Sequence, residues 1–320
     1  MKYIFKIPLV LIFLIGHSSL KAETLFDSLN SAYLKNSKLN AERAGTRAAK
    51  EEKRESISEF LPSVTISGYV SEQNNTNPGN DTSFEPSEQS IVIEQKIFQG
   101  FSGIANLKKK KYGQDIANFK LKKVEQEVLL DAAKAHADLL LNTKKVNINL
   151  MNIDLLESQV ETDQNRLEKG EINLTDLAQS EASLSGARAK LIAAQNDLIS
   201  SKANYGKIIG KKSPENIKEI KEIKLNLPES LAAAKNISIS DNPNLQISSL
   251  EFEQSKLDVI IAGADISPSA TISYKVAEQD DFSSTLKERT QKTVTATATW
   301  PLFSGGSNIF NLRKNKELKN

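Results

Sequence analysis

Apolar and polar residues alternate with a period of two in four short segments of the chain, whereas a helical period prevails over most of the remainder. The alternating segments are residues 64–71, 91–98, 270–276 and 293–300. Such alternation predicts β-strands with one apolar and one polar face. It is typical of strands in membrane barrels, which are apolar outside and polar inside. A half-exposed soluble hairpin has the same period, so the pattern alone leaves both structures open.

The alternation also assigns residues to the two faces of a barrel wall. We expect one set to point to lipid, namely Ile66, Val70, Ile272 and Val294. The other set is then expected to face the lumen, namely Thr65, Ser67, Thr271 and Thr295. Aromatic residues cluster at one end of the strands, where they form an interfacial girdle or are buried at a joint between helix and strand. These residues are Phe60, Phe98, Phe101, Trp300 and Phe303.

Long helices are predicted after the first pair of strands. The 127 residues between Pro86 and Pro214 contain no proline, and an interior proline would break a helix. Apolar residues at three- and four-residue steps predict one helix from Ser102 to Glu168, about 100 Å long at 1.5 Å per residue. A return helix from about Thr175 to Tyr205 completes an antiparallel coiled-coil hairpin. Gly170 is expected to cap the first helix, and Asn173 or Thr175 the second.

The chain contains an internal repeat. Residues 62–73 align with residues 268–279 at an offset of 206, and eight of the twelve positions are identical. Residues 98–108 align with residues 303–313 at an offset of 205. Two matches in the same order at nearly one offset predict a duplicated unit of about 205 residues.

Each repeat is expected to read helix, strand, loop, strand, helix. The first repeat is assigned to residues 23–235, with its strand pair at 62–98 and its helical hairpin at 102–208. The second repeat, residues 236–320, has its strand pair at 268–301 and then the start of a helix. Helices are predicted at 24–60 and 241–264, each shortly before a proline that favours extended backbone. Polar segments, expected to be exposed loops, join the strands of each pair at 74–89 and 280–290.

The charges of the chain nearly cancel, since 42 Lys and Arg face 40 Asp and Glu for a net charge of +2. A nucleic-acid-binding protein would need a basic surplus to neutralise phosphates, so no nucleic-acid partner is expected. The chain has no cysteine, which excludes disulfides, thiolate metal sites and a cysteine nucleophile. Aromatic residues are only 6% of the chain, few for one compact core, which favours an elongated helical molecule.

Residues 1–22 are predicted to be a signal peptide. Lys2 and Lys6 precede an apolar stretch from Ile7 to Ile15, which is too short to span a bilayer. Cleavage is expected after Ala22, and an N-terminal membrane anchor is the alternative. No later segment has 18 consecutive apolar residues, so we expect the mature protein to leave the cytoplasm without a transmembrane helix.

No constellation of residues in the sequence indicates catalysis. Of the two histidines, His17 lies in the predicted signal peptide, and His136 stands alone in the long predicted helix. We expect His136 to be a packed or solvated helix residue rather than a ligand or base. The sequence also lacks a phosphate-binding glycine loop, a Gly-x-Ser-x-Gly elbow and a His/Cys/Asp cluster. We therefore predict a protein that is not an enzyme and that uses no cofactor or metal.

Three motifs in this order of elements resemble the TolC-like outer-membrane efflux protein family. Two are turns that close a strand before a helix, at residues 98–103 and 302–306, with glycines Gly100, Gly103, Gly305 and Gly306. The third, residues 166–177, is similar to the family's periplasmic hairpin tip and contains Gly170, Asn173, Thr175 and Asp176. The likeness extends over essentially all of residues 23–320.

The resemblance implies a mainly α fold with membrane β-hairpins, in which long coiled-coil hairpins accompany four strands of a trimeric twelve-stranded barrel. It implies an outer-membrane channel subunit of a tripartite efflux or type I secretion system, with helices in the periplasm. The implied partners are outer-membrane lipid, two further copies, a periplasmic adaptor that contacts the tip, and an inner-membrane pump of the ABC, RND or a similar class. Four strands alone also predict oligomerisation, because barrels usually need about eight or more.

The chain departs from the family's pattern in its second repeat, and alternatives to the channel remain open. By the internal offset the second repeat should continue to about position 415, so a second long helix and its return are expected to be missing. The chain is then a C-terminally truncated gene fragment, without function as a channel, or an unusually short channel. A periplasmic adaptor or a filamentous coiled-coil protein is the alternative, although neither predicts a repeat of hairpin and strands.

Overall fold

The structure, a computed structural model, describes residues 22–77, 79–220, 227–281 and 287–320. The predicted signal peptide lies outside these ranges except for Ala22. The helices are α1 (Leu25–Lys35), α2 (Ser37–Ser58), α3 (Ser102–Glu168), α4 (Leu174–Ile209), α5 (Leu231–Asp241), α6 (Pro243–Ala264) and α7 (Ser307–Lys319). The strands are β1 (Ser63–Val70), β2 (Gln73–Asn77), β3 (Asn80–Phe84), β4 (Ser87–Gln99), β5 (Ser269–Asp280) and β6 (Glu288–Thr299).

The described residues form two compact units, which share α3. One unit contains α1, α4 and the part of α3 from Glu127 onward. The other contains α2, the first part of α3 and all strands, together with α5, α6 and α7. None of the described helices has an 18-residue stretch that is apolar enough to cross a membrane.

The predicted helix over residues 24–60 is wrong in one respect, because Asn36 divides it into α1 and α2. The backbone of Asn36 is extended, with φ −62° and ψ 127°. Its side-chain amide donates to the carbonyl of Ile208 at 2.8 Å, a tertiary contact that compensates the broken helix.

The predicted helix over residues 241–264 is confirmed as α6 (Pro243–Ala264), whereas the helix before it, α5, was not predicted. Asn242 separates α5 from α6 with φ −72° and ψ 112°, and its side chain accepts the backbone N–H of Asn244 at 2.9 Å. Pro243 occupies the first turn of α6, where its missing N–H costs nothing. The two broken pairs match in length, with 11 residues in α1 and α5 and 22 in α2 and α6.

Four strands form one antiparallel sheet in the order β1-β4-β5-β6. Within the described residues, β1 and β6 each have a paired edge and an open edge. The predicted loop at residues 74–89 is wrong, because β2 and β3 form a separate hairpin there and β4 already begins at Ser87. This segment is rich in Asn, Asp and Ser and lacks apolar alternation, so strands were not predicted. In the second predicted loop, β5 reaches Asp280 and β6 starts at Glu288, and residues 282–286 lie outside the described ranges.

The predicted coiled-coil hairpin is formed by α3 and α4. The first helix has the predicted bounds, Ser102–Glu168, and the return helix is slightly longer than predicted, Leu174–Ile209. Ile153 of α3 packs with Leu184 and Ala187 of α4 in a buried cluster. The three- and four-residue apolar steps therefore mark the seam between the two helices.

Candidate functional site

The strand register collects most of the apolar residues of the four strands on one face of the sheet. Val64 pairs with Ile93, which pairs with Tyr274, which pairs with Val294. Neighbouring rungs add further apolar residues to this face: Ile66, Val70, Ile91, Ile272, Val276, Ala296 and Ala298. The face is open, since Ile66 is 77% and Val294 71% exposed. All four residues predicted to point to lipid share it.

The opposite face is polar and, near the end at which β4 begins, more buried than the apolar face. Ser67 Oγ lies 3.1 Å from Ser90 Oγ across β1 and β4. Ser90 itself pairs with Ala277, and both are buried. The residues predicted to face a lumen lie on this face, namely Thr65, Ser67, Thr271 and Thr295. A sheet in a soluble protein buries its apolar face and exposes its polar face. This sheet has the opposite arrangement, with an exposed apolar face and a partly buried polar face.

A β-bulge ends the regular alternation of β4. The register shifts between Lys96 and Phe98, so that Phe98 pairs with Ala270 and joins the apolar face. Strict alternation over residues 91–98 would put Phe98 on the face of Val92 and Glu94, but the bulge inserts one extra residue and moves Phe98 to the other face. Phe98 contacts Phe101 edge to face, with ring centroids 5.3 Å apart. All five predicted girdle residues are more than a third exposed, as expected for a girdle and not for burial at the joint.

Two turns of the same construction lead from the strands into helices. In the first, Gly100 and Phe101 have φ of 59° and 68°, and in the second, Gly305 and Gly306 have φ of 66° and 82°. A serine follows each pair. Ser102 Oγ donates to the carbonyl of Gln99 at 2.8 Å, and Ser307 Oγ to that of Ser304 at 3.0 Å.

The four predicted turn glycines meet different surroundings. A Cβ at Gly100 would lie 2.7 Å from Ser267 Cβ and 2.9 Å from Ala264 Cα, so only glycine fits there. A Cβ at Gly103, in the first turn of α3, would lie in ordinary contact with Phe60 at 3.4 Å. A Cβ at Gly305 would meet open space, whereas one at Gly306 would come within 3.1 Å of Phe310.

Each turn is also tied to the short helix that precedes its strand pair. The Asn106 amide donates to the Glu59 carboxylate, next to the end of α2. The Asn311 amide lies 3.4 Å from Asp265 Oδ2 at the end of α6. The two asparagines are 205 residues apart and their acidic partners 206, so the internal repeat extends to these side-chain contacts.

The hairpin tip combines two capping motifs. Gly170 has φ 72°, its N–H bonds the carbonyl of Leu167, and the N–H of Glu171 bonds that of Arg166, both at 2.9 Å. This pattern is a Schellman motif. Asn173 then caps α4: its side chain accepts the N–H of Asp176 at 3.0 Å, and the Asp176 carboxylate accepts the N–H of Asn173 at 3.2 Å.

The capping box decides between the two predicted caps in favour of Asn173 over Thr175. Because Asn173 and Asp176 bond to each other's backbone, they hold the tip in shape. Thr175 and the neighbouring Leu174 remain outward, and Leu174 is 71% exposed. The structure thus brings all four predicted tip residues together, and Leu174 and Thr175 are exposed among the other residues of the tip surface.

Behind the tip, Asp163 bridges the two helices. Its Oδ2 accepts Ser180 Oγ at 2.5 Å and Gln159 Nε2 at 2.8 Å. The hydrogen bonds from Ser180 and Gln159 and the nearby Arg166 hold the pKa of Asp163 below its ordinary value. Sequence reasoning missed this residue, because an acidic residue on a charged helix gives no signal of its own.

One protein family matches more than half of the chain. Residues 28–211 match the model of the family described as outer membrane efflux protein. The chain belongs to this family. Membership places this outer membrane efflux protein in the outer membrane, with its helices on the periplasmic side.

Individual relatives agree with the family assignment. The chain is 25% identical to the outer membrane efflux protein BepC of Brucella suis over 305 residues, which cover 95% of this chain and 66% of BepC. Among solved structures, the Campylobacter jejuni CmeC outer membrane channel matches with a TM-score of 0.82 and 14% identity, covering 94% of this chain and 66% of that one. The outer membrane protein VceC of Vibrio cholerae matches with a TM-score of 0.71 and 16% identity, covering 92% and 72%. The fold is therefore that of outer-membrane channels of this kind.

A buried polar cluster of this efflux protein was not predicted from the sequence. Ser28 Oγ of α1 lies 2.9 Å from His136 Nδ1 of α3 and 2.8 Å from the Tyr205 hydroxyl of α4. All three residues are fully buried. His136 Nε2 lies 3.3 Å from the carbonyl of Lys218, which can only accept, so Nε2 carries the proton and Nδ1 accepts from Ser28 in the neutral ring.

A charged pair closes the cluster on one side. Glu23 Oε1 lies 2.6 Å from Lys211 Nζ and 3.3 Å from the hydroxyl oxygen of Tyr205. Burial raises the pKa of Tyr205 to about 12 and lowers that of His136. The expectation that His136 is a packed helix residue is correct. Ser28 bonds to residues 108 and 177 positions away, so no local pattern could have revealed the cluster.

Proposed function

We propose that the chain is a subunit of a channel that carries small molecules or proteins across the outer membrane as part of an efflux or type I secretion system. The observation that carries this proposal is the sheet with an open apolar face and a polar face behind it. In a membrane barrel the apolar face contacts lipid and the polar face lines the pore. Family membership and the fold support the proposal.

The channel wall is completed by further copies of the chain. A sheet inside a membrane needs closed edges, because unpaired backbone groups are costly in lipid. In this sheet, β1 and β6 have the open edges, so β1 of one copy pairs with β6 of the next. Two copies would give eight strands and three would give twelve. The resemblance described above favours three.

The hairpin tip is the contact for a periplasmic adaptor, through which an inner-membrane pump is reached. Asn173 and Asp176 shape the tip by capping, and Gly170 supplies its left-handed turn. Leu174 and Thr175 then offer an exposed apolar and hydroxyl surface to a partner helix.

Cysteine pairs test the closure of the wall, since the chain has no native cysteine. Cysteine at Val64 of β1 is combined in turn with cysteine at Val294, Ala296 or Ala298 of β6, and cells are treated with a short crosslinker. We expect at least one pair to give a ladder that stops at three copies. In the matched control, the cysteine at Val64 is replaced by one at Ile93, in the middle of the sheet. These control pairs should give no ladder. A ladder that stops at two, or its absence for all pairs, would contradict the trimer.

Crosslinking in cells also tests the tip. Cysteine at Thr175 should crosslink to a periplasmic protein of adaptor size, whereas cysteine at Asn147, exposed on α3 well away from the tip, should not. Equal crosslinking at both positions would show that the tip has no special role. The wall experiment is independent of this result, so the two parts of the proposal fail separately.

A further inference from the structure

One ionic cluster lies on the polar face of the sheet and involves two strands. Lys275 Nζ of β5 donates to Glu88 Oε1 of β4 at 2.6 Å. Gln279 Nε2, also of β5, donates to Glu88 Oε2 at 2.7 Å. Both carboxylate oxygens of Glu88 are thus engaged, and the Glu88 side chain is only 10% exposed against 42% for Lys275.

The register explains how the cluster lies on the wall. Glu88 pairs directly with Gln279, whereas Lys275 lies four residues further along the strand, opposite Val92. Of the three rungs between them, the one on the same face is Ser90 with Ala277. The lysine side chain has to pass over this rung to reach Glu88, which accounts for the burial of both small residues. The cluster therefore covers the polar face near the end of the sheet at which β4 begins.

We propose that Glu88 and Lys275 are residues of the pore wall and that their opposite charges balance each other in the intact channel. The ion selectivity of the pore then depends on both members of the pair. The inference rests on the proposed function, because it needs the polar face to line a water-filled pore. Each copy contributes one pair, so a trimer carries three such pairs at one level, beside Arg289 of β6, which pairs with Gln279 on the same face. Removal of one partner changes the net charge at this level by three, one charge for each copy.

The expected size of the effect follows from electrostatics. In water, a unit charge about 8 Å from the path of an ion changes the local concentration of that ion about two-fold. Charged rings in pores act on permeating ions in this way. Lys275→Gln should therefore make the pore more cation-selective, and Glu88→Gln should make it more anion-selective, by about two-fold or more in each case.

The sheet offers a matched control on its other face. Lys292 of β6 pairs with Val276 on the apolar face and is exposed. Lys292→Gln removes the same charge at nearly the same level, but on the side assigned to lipid and its headgroups. It should leave the selectivity of the pore unchanged.

The test is to insert the protein into planar lipid bilayers and to measure the reversal potential of its current under a potassium chloride gradient. We expect opposite shifts for Lys275→Gln and Glu88→Gln, and a return to the wild-type value for the double variant. Wild-type currents with no shift in either single variant, or an equal shift in Lys292→Gln, would overturn the inference and leave the channel intact. Absence of wild-type currents would instead overturn the proposed function and the inference with it.

A chemical version of the test changes the charge at position 275 in channels that have already assembled. Lys275→Cys in the cysteine-free chain can be modified after insertion by a positively or a negatively charged thiosulfonate. The positive reagent should restore the wild-type reversal potential, and the negative reagent should move it further toward cation selectivity. If neither reagent changes the potential of conducting channels, Lys275 does not face the pore.

Discussion

At the scale of single residues, Ser28 connects three helices through one hydroxyl group. It lies between His136 Nδ1 and the hydroxyl of Tyr205, with all three side chains buried. Ser28→Ala leaves the His136 acceptor without a partner, which costs about 1–3 kcal/mol for a buried group. We expect the thermal unfolding midpoint in detergent to fall accordingly. Ser185→Ala, which removes an exposed hydroxyl that bonds only its own helix, should have little effect.

His136 should make the stability of the helical unit depend on pH. Burial, opposed by the hydrogen bond to Lys218 and the charge of Glu23, lowers the pKa of His136 below 6.5. The unfolded chain therefore binds a proton that the folded chain rejects, so stability is full above about pH 6.5 and falls as the pH drops. When the pH lies below both pKa values of His136, that of the folded and that of the unfolded chain, each pKa unit between them lowers the free energy of unfolding by about 1.4 kcal/mol.

Unfolding at pH 7.5 and pH 5.5 measures this effect. The lowered pKa values of Asp163 and Glu219 start from 3.8 and 4.5, so these groups stay charged in that range. His136→Gln lacks the titrating ring and should lose less stability between the two pH values than the wild type. An equal loss in both proteins would show that His136 is not the responsible group.

At the scale of elements, the two strand-to-helix turns share a backbone but not a neighbourhood. Gly100 and Gly305 both have positive φ, which costs another residue about 1–2 kcal/mol. Only at Gly100 would a Cβ also approach the backbone of Ala264, at 2.9 Å. Gly100→Ala should therefore destabilise the chain clearly more than Gly305→Ala, as measured by thermal unfolding. Equal losses would mean that the contact with α6 is relaxed in solution.

The elements differ in how far the sequence could predict them. The helix Ser102–Glu168 and the four sheet strands follow from local periodicity, which the structure preserves. The break at Asn36 depends on a bond to Ile208, 172 positions away, and no local pattern encodes it. The bulge at Phe98 and the hairpin of β2 and β3 were missed because a bulge leaves composition unchanged and a polar hairpin has no apolar face.

The matching elements lead us to propose a revised repeat boundary. The starts of α1 and α5 differ by 206 positions, as do those of α2 and α6 and of β1 and β5. Position 236, where the second repeat was predicted to begin, falls inside α5. We propose that the second repeat begins before α5, at about residue 229, by the same offset from residue 23.

At the scale of the whole molecule, the orientation of the sheet in the membrane is the property on which the proposed channel depends. Val294 and Thr295 are neighbours in the middle of β6, but they lie on opposite faces. Arginine at Val294 would place a charge in lipid, at a cost of about 2–4 kcal/mol near the bilayer midplane. Arginine at Thr295 would extend into the lumen, beside the rung of Ser273 and Glu94, where water and a carboxylate accept it.

We therefore expect Val294→Arg to reduce the amount of folded protein in isolated outer membranes, while Thr295→Arg remains near the wild-type level. Ile66→Arg and Thr65→Arg repeat the comparison on β1, so a single unfavourable site cannot decide the result. Total expression, measured in the same cells, separates failed insertion from failed synthesis. Because the two members of each pair differ by one position along the strand, depth in the membrane is nearly constant and only the face changes. Equal assembly of both members in both pairs would mean that neither face contacts lipid, and the barrel wall would have to be given up.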